Sequence, residues 1–332
     1  MKPEHVFELG FPFDLLNVNL FSDTLTQGAG RLKMKIFLTG GSGFVGRVLV
    51  KTLLENGFQV TCLVRPGSEE KWKELFSPSL QLICGDITQP SSYGEGLEGR
   101  ECVIHLVGII REFPAKGIQY QKIHVEGTQN LVMNALKRKC KRFIYMSALG
   151  ARASALARYH QTKYQAEEVV RRSGLNYTIF QPSVIFGPDD RFINMLARMV
   201  RLNPITPLIG GGKNKLQPIF VSDISKGILL SLNEKRAFYR TYPVGGLEAY
   251  SMKHIFTLIK KALGIKRPNI RIPLLFIKPV VKIMEPFPFF PLTSDQLTML
   301  KEDNTCDPTL FFEHFKMAPM PFPEGIKNIL RH

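Results

Sequence analysis

The sequence predicts an α/β protein built on a doubly wound parallel sheet, with a smaller substrate-side region toward the C-terminus. Three observations predict this. Between Ile36 and Phe180, short apolar runs alternate with helix-period segments at the spacing of strand–helix–strand units. Gly40, Gly43 and Gly46 fall three apart where the first apolar run gives way to the first helical segment. From about Phe186 the alternation loosens, and Pro188, Pro204, Pro207, Gly210–Gly212 and Pro218 punctuate the chain.

Ile36–Thr39 reads as the first strand, Phe44–Asn56 as a helix stopped by Gly57, and Gln59–Val64 as a second strand ending on Arg65. Each glycine has a mechanical reason. Gly40 allows the tight turn, Gly43 lets the backbone approach a pyrophosphate, and Gly46 lets the helix pack closely on the sheet. The pyrophosphate would rest on the amides and positive dipole of the helix N-terminus. The unit therefore reads as dinucleotide-binding; a glycine turn in an ordinary strand–helix–strand unit is the alternative. Arg65 stands where an acid would hydrogen-bond the ribose 2′-OH of NAD, and a cation there suits the 2′-phosphate of NADP. Arg47 is a second candidate cation. This favours NADP(H), with NAD(H) left open; a pair of solvated surface arginines is the plainer reading.

A charged, helix-like stretch around Ser68–Phe76 follows, then a third strand at Leu80–Cys84 ending in Gly85-Asp86-Ile87-Thr88. Cys102–Val107 reads as the fourth strand, Tyr120–Lys137 as a helix, and Lys141–Met146 as the fifth strand ending in Ser147-Ala148. Arg158–Ser173 is a further helix and Asn176–Phe180 the sixth strand. Beyond these, short strands are expected at Pro218–Val221 and Thr241–Val244, and a helix at Ser251–Leu263. Doubly wound sheets bind ligands beyond the carboxyl ends of their strands, so Gly40, Asp86, Gly108 and Ser147 are expected to converge on one crevice. The expected organisation is an extension over 1–33, a Rossmann-type NAD(P)-binding domain over 34–185, and a smaller mixed α/β region over 186–332 partly interleaved with it.

The 332 residues, 44% hydrophobic, suffice for such a core. Five unpaired-looking cysteines and seven histidines show no ligand spacing, which points to a reducing, cytoplasmic compartment and no metal. The net charge of +16 favours anionic partners such as phosphorylated cofactors or an anionic membrane. No basic run is interleaved with aromatics, so nucleic acid is not expected. Residues 1–33 match neither a secretion signal nor an Arg-rich transit peptide, are expected to be poorly ordered, and suggest a functional start near Met34. No run of about 20 apolar residues predicts a transmembrane helix.

With these residues placed, the chain resembles the extended or atypical short-chain dehydrogenases/reductases from Met34 to Asn304. The family's T-G-x-x-G-x-x-G stands as Thr39 to Gly46, including Phe44 and Val45. Its G-D-hydrophobic turn stands as Gly85-Asp86-Ile87, where the acid usually contacts adenine, and its loop after strand four as Val107-Gly108. The phrase N-V-x-G-T-x-N-L stands as His124 to Leu131, with His124 replacing the usual Asn. Y-x-x-x-K stands as Tyr159 and Lys163, and R-P-S-x-V-Y-G-P as Gln181 to Pro188, with Pro182, Ser183 and Val184 near the nicotinamide end.

The resemblance implies Tyr159 as general acid/base, with Lys163 lowering its pKa and holding the nicotinamide ribose. It implies a hydroxyl that orients the substrate; Ser147 lies at the strand end, and Ala148 occupies the position that aligns with that hydroxyl. Within the superfamily the chain is most similar to the NAD(P)H-binding accessory subunit of respiratory complex I and its bacterial relatives. The phrases Ser147–Ala151, Tyr159–Lys163, Phe186–Phe192 and Gln217–Gly227, with the proline-rich Ile272–Leu292, carry that similarity. This branch implies tight NADPH binding in a structural role.

Two functions follow: an NADP(H)-dependent reductase, dehydrogenase or epimerase-like enzyme using Tyr159, Lys163 and Ser147, or a cofactor-holding accessory protein peripheral to the inner face of a membrane or to a respiratory complex. Ile272–Leu292 is apolar with basic flanks, so it reads equally as a surface that docks on membrane or partner and as a cover for the substrate cleft. Its prolines argue against one long amphipathic helix.

Overall fold

A computed structural model describes residues 33–68, 72, 75, 77–287 and 290–330. The extension expected over 1–33 lies outside the described residues apart from Lys33, and the stretch around Ser68–Phe76 lies mostly outside them. Residues Met34–His332 make one compact unit.

The chain forms β1 (Lys35–Thr39), α1 (Phe44–Glu55), β2 (Gln59–Val64), β3 (Leu80–Cys84), β4 (Cys102–His105), α2 (Gly127–Lys137), β5 (Arg142–Met146), α3 (Arg158–Arg171) and β6 (Asn176–Pro182). Then come β7 (Ile185–Phe186), α4 (Phe192–Leu202), β8 (Thr206–Ile209), β9 (Lys215–Leu216), β10 (Ile219–Phe220), α5 (Val221–Ser231) and β11 (Arg240–Val244). β12 (Tyr250–Ser251), α6 (Met252–Leu263), β13 (Asn269–Ile272), α7 (Leu274–Met284), α8 (Ser294–Met299), α9 (Thr309–Phe315) and α10 (Phe322–Leu330) complete it.

Seven strands pair in parallel in the order β11–β6–β5–β4–β1–β2–β3. The central strands read as near-continuous apolar runs because helices cover both faces. Side chains alternate between those faces. Ile36 and Leu38 join Leu49 and Leu53 of α1, with Ile224 of α5 and Phe311 of α9, in one core layer. Phe37 and Val103 join Leu131 of α2 and Val170 of α3 in the other. β1 feeds β2 on one side and borders β4 on the other, so the switch point and its ligand crevice lie beyond the C-terminal ends of β1 and β4.

After β6 the paired strands shorten, and a third cluster gathers residues of α4, α6 and α10, among them Leu196, Ile255 and Phe322. β11 returns to the main sheet beside β6. Two expectations change here. The strand expected at Pro218–Val221 is only Ile219–Phe220, because Val221, Ile224 and Ile228 bury at helix spacing and start α5. The helix expected from Tyr120 opens with a π-helical turn at Gln121–Glu126, which buries His124. α7 continues through Pro279.

Candidate functional site

Gly40 ends β1 with φ of 79°, a conformation side chains disfavour. A Cβ there would lie 3.0 Å from the Val107 nitrogen, so the loops after β1 and β4 touch at the switch point. Gly43 donates its N–H to the Gly40 carbonyl at 3.0 Å and caps α1. No side chain caps this helix and no acid stands in its first turn, so its amides and positive end face a potential anion uncompensated. At Gly46 a Cβ would fall 2.2 Å from the Gly40 oxygen, which admits only glycine. Val45 packs into the core, and Phe44 packs against Gly187, whose Cβ would lie 2.9 Å from the Phe44 ring. These two residues therefore present backbone to the crevice. The features fit a dinucleotide pyrophosphate.

Arg65 is exposed just past β2. Arg47 reaches away from it in the chain, pairing with Asp189 at 2.8 Å across the start of α1. Both partners are well exposed, so the pair is weak and exchangeable. Asp86 folds back on itself, its carboxylate accepting from the Thr88 N–H (2.8 Å) and hydroxyl (2.7 Å), while Ile87 is buried.

At the other end of the crevice, Lys163 is buried on α3 and donates to the Met146 carbonyl at 2.6 Å. Its ammonium lies 4.3 Å from the centroid of the Tyr145 ring. A Cβ on Gly108 would lie 3.9 Å from that ammonium and 3.7 Å from His124 Nε2, so Lys163, Gly108 and His124 line the same spot. Burial holds the Lys163 pKa down at about 7, with Glu167 pushing the other way. His124 accepts the Ile109 N–H at Nε2 (3.0 Å) and bonds Thr162 at Nδ1 (2.9 Å). Thr162 gives its own proton to backbone carbonyls of α3, so Nδ1 carries the proton. Burial, then Lys163, keep this imidazole neutral. His124 thus fastens the loop after β4 to α3.

Tyr159 stands one turn before Lys163, half-buried, its ring edge-on to Tyr120 (5.9 Å) and His124 (5.5 Å). Its hydroxyl has no hydrogen bond among the described residues. Burial pushes its pKa up to about 12. The ammonium of Lys163 is engaged by the Met146 carbonyl and the Tyr145 ring rather than by this phenol. Ser147 is not turned toward Tyr159. Its hydroxyl donates to Glu167, a fully buried carboxylate that also takes Gln181 (2.8 Å) and Arg171 (2.7 Å). Ala148 beside it is buried and has no hydroxyl to offer. In the Pro182–Val184 segment, the Ser183 hydroxyl donates to the Asn304 carbonyl (2.9 Å) and the Pro182 carbonyl accepts the Leu149 N–H (2.9 Å).

Sequence reasoning missed several of these groups. Glu167 lies one turn past Lys163, a spacing that could have flagged it. Asp295 of α8 could not be read: its carboxylate takes the Arg158 (2.7 Å) and Tyr159 (3.0 Å) N–H groups and caps α3 from far along the chain. Among the described residues no cluster of His, Cys, Asp or Glu is placed to hold a metal, and no helix is long and apolar enough to cross a membrane.

The profile of the NAD dependent epimerase/dehydratase family matches residues 36–245. NADH dehydrogenase (ubiquinone) 1 alpha subcomplex subunit 9 of Arabidopsis thaliana is 27% identical, covering 91% of this chain and 82% of that one. Ceramide reductase of Caulobacter vibrioides is 27% identical over 72% of this chain and 73% of its own. UDP-glucose 4-epimerase of Thermotoga maritima shares the fold at a TM-score of 0.71 and 20% identity, covering 90% of this chain and 98% of that one.

Proposed function

The chain belongs to the NAD dependent epimerase/dehydratase family, and on that premise we propose that it holds a nicotinamide dinucleotide, NADP(H) in preference to NAD(H), chiefly as a bound structural group. The pyrophosphate lies on the uncapped start of α1 at Gly43 to Gly46, and Thr39 and Gly40 shape the turn. Arg65, joined by Arg47 when it leaves Asp189, takes the 2′-phosphate. Asp86 and Ile87 border the adenine, Val107 and Gly108 the middle of the dinucleotide, and Lys163 with Pro182, Ser183 and Val184 the nicotinamide end. A bound nicotinamide supplies hydride chemistry. The observation that speaks most strongly for a holding role is the Ser147 hydroxyl, committed to Glu167 with Ala148 next to it. The Arabidopsis relative, by its name a subunit of NADH dehydrogenase, supports a partner in a respiratory membrane complex, and with it a membrane-peripheral position.

Denaturing the protein as purified and identifying the released nucleotide by mass spectrometry tests this. Near-stoichiometric NADP(H) is expected, shifting toward NAD(H) in Arg65→Asp, where the new carboxylate repels a 2′-phosphate and accepts from a 2′-OH. An empty protein that binds neither nucleotide when it is added rejects the reading.

A second reading, an active NADP(H)-dependent reductase, is favoured by Tyr159 and Lys163 standing one turn apart and by the relative that is a ceramide reductase. Under it, the phenol of Tyr159 gives its proton to the substrate oxygen as hydride arrives. Tyr159→Phe separates the two: nucleotide content unchanged and no activity to lose under holding, a loss of about a hundredfold or more in turnover under catalysis.

A further inference from the structure

We propose that α7 is a docking surface for an anionic lipid bilayer. The helix exposes Leu275 (77%), Phe276 (67%), Val280 (47%) and Ile283 (69%), while Val281 is buried. At 3.6 residues per turn, these four exposed side chains share an arc of about 140°, with Val281 on the opposite side. A row of large apolar side chains held in water marks an interaction surface. Lys278 and Lys282 run along one edge of the arc and are themselves exposed.

Charge selects the occupant. Between residues 266 and 290 the bases are Lys266, Arg267, Arg271, Lys278 and Lys282, and the single acid is Glu285. That acid follows the last turn of the helix and is engaged by the backbone, its carboxylate accepting the Ser294 N–H at 2.7 Å. An apolar row bordered by uncompensated cations is the pattern of a helix lying in an anionic interface. A second copy of the chain, docked through the same face by a twofold axis, would set these cations against one another.

The surface is also fixed in orientation. Arg111, in the loop after β4, donates to the carbonyls of Glu285 (2.5 Å), Phe287 (2.8 Å) and Phe290 (2.6 Å), directly after α7. That loop begins beside Gly108, so the docked helix and the nicotinamide end of the crevice are joined through one guanidinium.

Co-sedimentation of the whole chain with vesicles tests the proposal. Phosphatidylcholine vesicles containing phosphatidylglycerol are expected to bind the protein at least about tenfold more tightly than phosphatidylcholine alone. Leu275→Ser with Phe276→Ser is expected to weaken that binding about a hundredfold, from the lost burial of two large side chains. Lys278→Gln with Lys282→Gln is expected to weaken it about tenfold and to reduce its salt dependence. Equal binding to both vesicle types, or wild-type binding by the Leu275→Ser, Phe276→Ser protein, overturns the proposal. So does a solution dimer that this same variant dissociates, which would assign the face to a second copy. The unfolding temperature, measured on the same samples, reports an intact fold whether or not a nucleotide is bound, and keeps this test separate from that of the dinucleotide reading.

Discussion

Gly46→Ala is expected to lose the bound dinucleotide and to unfold at a lower temperature, whereas Gly43→Ala is expected to lose the dinucleotide alone. The two positions differ in what a methyl group meets. At Gly46 it would fall 2.2 Å from the Gly40 oxygen and 2.7 Å from Gly41 Cα, both backbone atoms at the heart of the turn. Nothing there can rotate aside, so α1 must back away from β1. Overpacking of this kind costs about 1–3 kcal/mol, and the shift withdraws the amides that would meet the pyrophosphate. At Gly43 the backbone is extended, with φ of −78°, and a methyl group would stand 3.2 Å from the Gly40 oxygen, a contact a small adjustment relieves. It would fill space at the mouth of the turn, where the phosphate approaches. Thermal unfolding with and without added NADPH, alongside the released-nucleotide assay, measures both effects. Full nucleotide occupancy in Gly43→Ala would place the pyrophosphate elsewhere.

What could be read from the sequence follows from how local the signals are. The glycine turn, the first two strands and α1 lie within about thirty residues, and each glycine is required by atoms close to it in the chain. Asp86, Gly108, Tyr159 and Lys163 could be placed because strand ends in a parallel sheet share one edge. The detail that shapes the chemistry is long-range. Whether Ser147 faces the crevice depends on Glu167, twenty residues on, and the cap of α3 is supplied by Asp295. Arg111, unremarkable in sequence, anchors three carbonyls of the tail. Apart from the helix at Met252–Leu263, which was expected, the later helices were missed for a related reason. Prolines and glycines between them masked their periodicity, and their apolar faces bury against one another in a cluster no single segment announces.

Lys163 provides the sharpest test of the nicotinamide end, through pH. Burial lowers its folded-state pKa to about 7, against about 10.4 for an unfolded lysine. For a base shifted downward, the unfolded chain binds more protons between those values. Without ligand, this group's contribution to stability is therefore least favourable below about pH 7 and improves as pH rises toward 10. Dinucleotide binding runs the other way. An ammonium donates to the nicotinamide ribose, and a neutral amine does so more weakly, so the ligand selects the protonated form. Apparent affinity is expected to fall by up to about tenfold for each pH unit above 7, until the pKa of the complex is reached. The 2′-phosphate also titrates, losing its second proton near pH 6 as other phosphate monoesters do, but it does so equally in any variant. The difference between wild type and Lys163→Met, followed by NADPH fluorescence titration from pH 6 to 9, therefore isolates the lysine. Lys163→Met is expected to bind more weakly at pH 6 and to converge on wild type at pH 9. Parallel profiles would detach Lys163 from the ribose and leave its charge serving only the Met146 carbonyl and the Tyr145 ring.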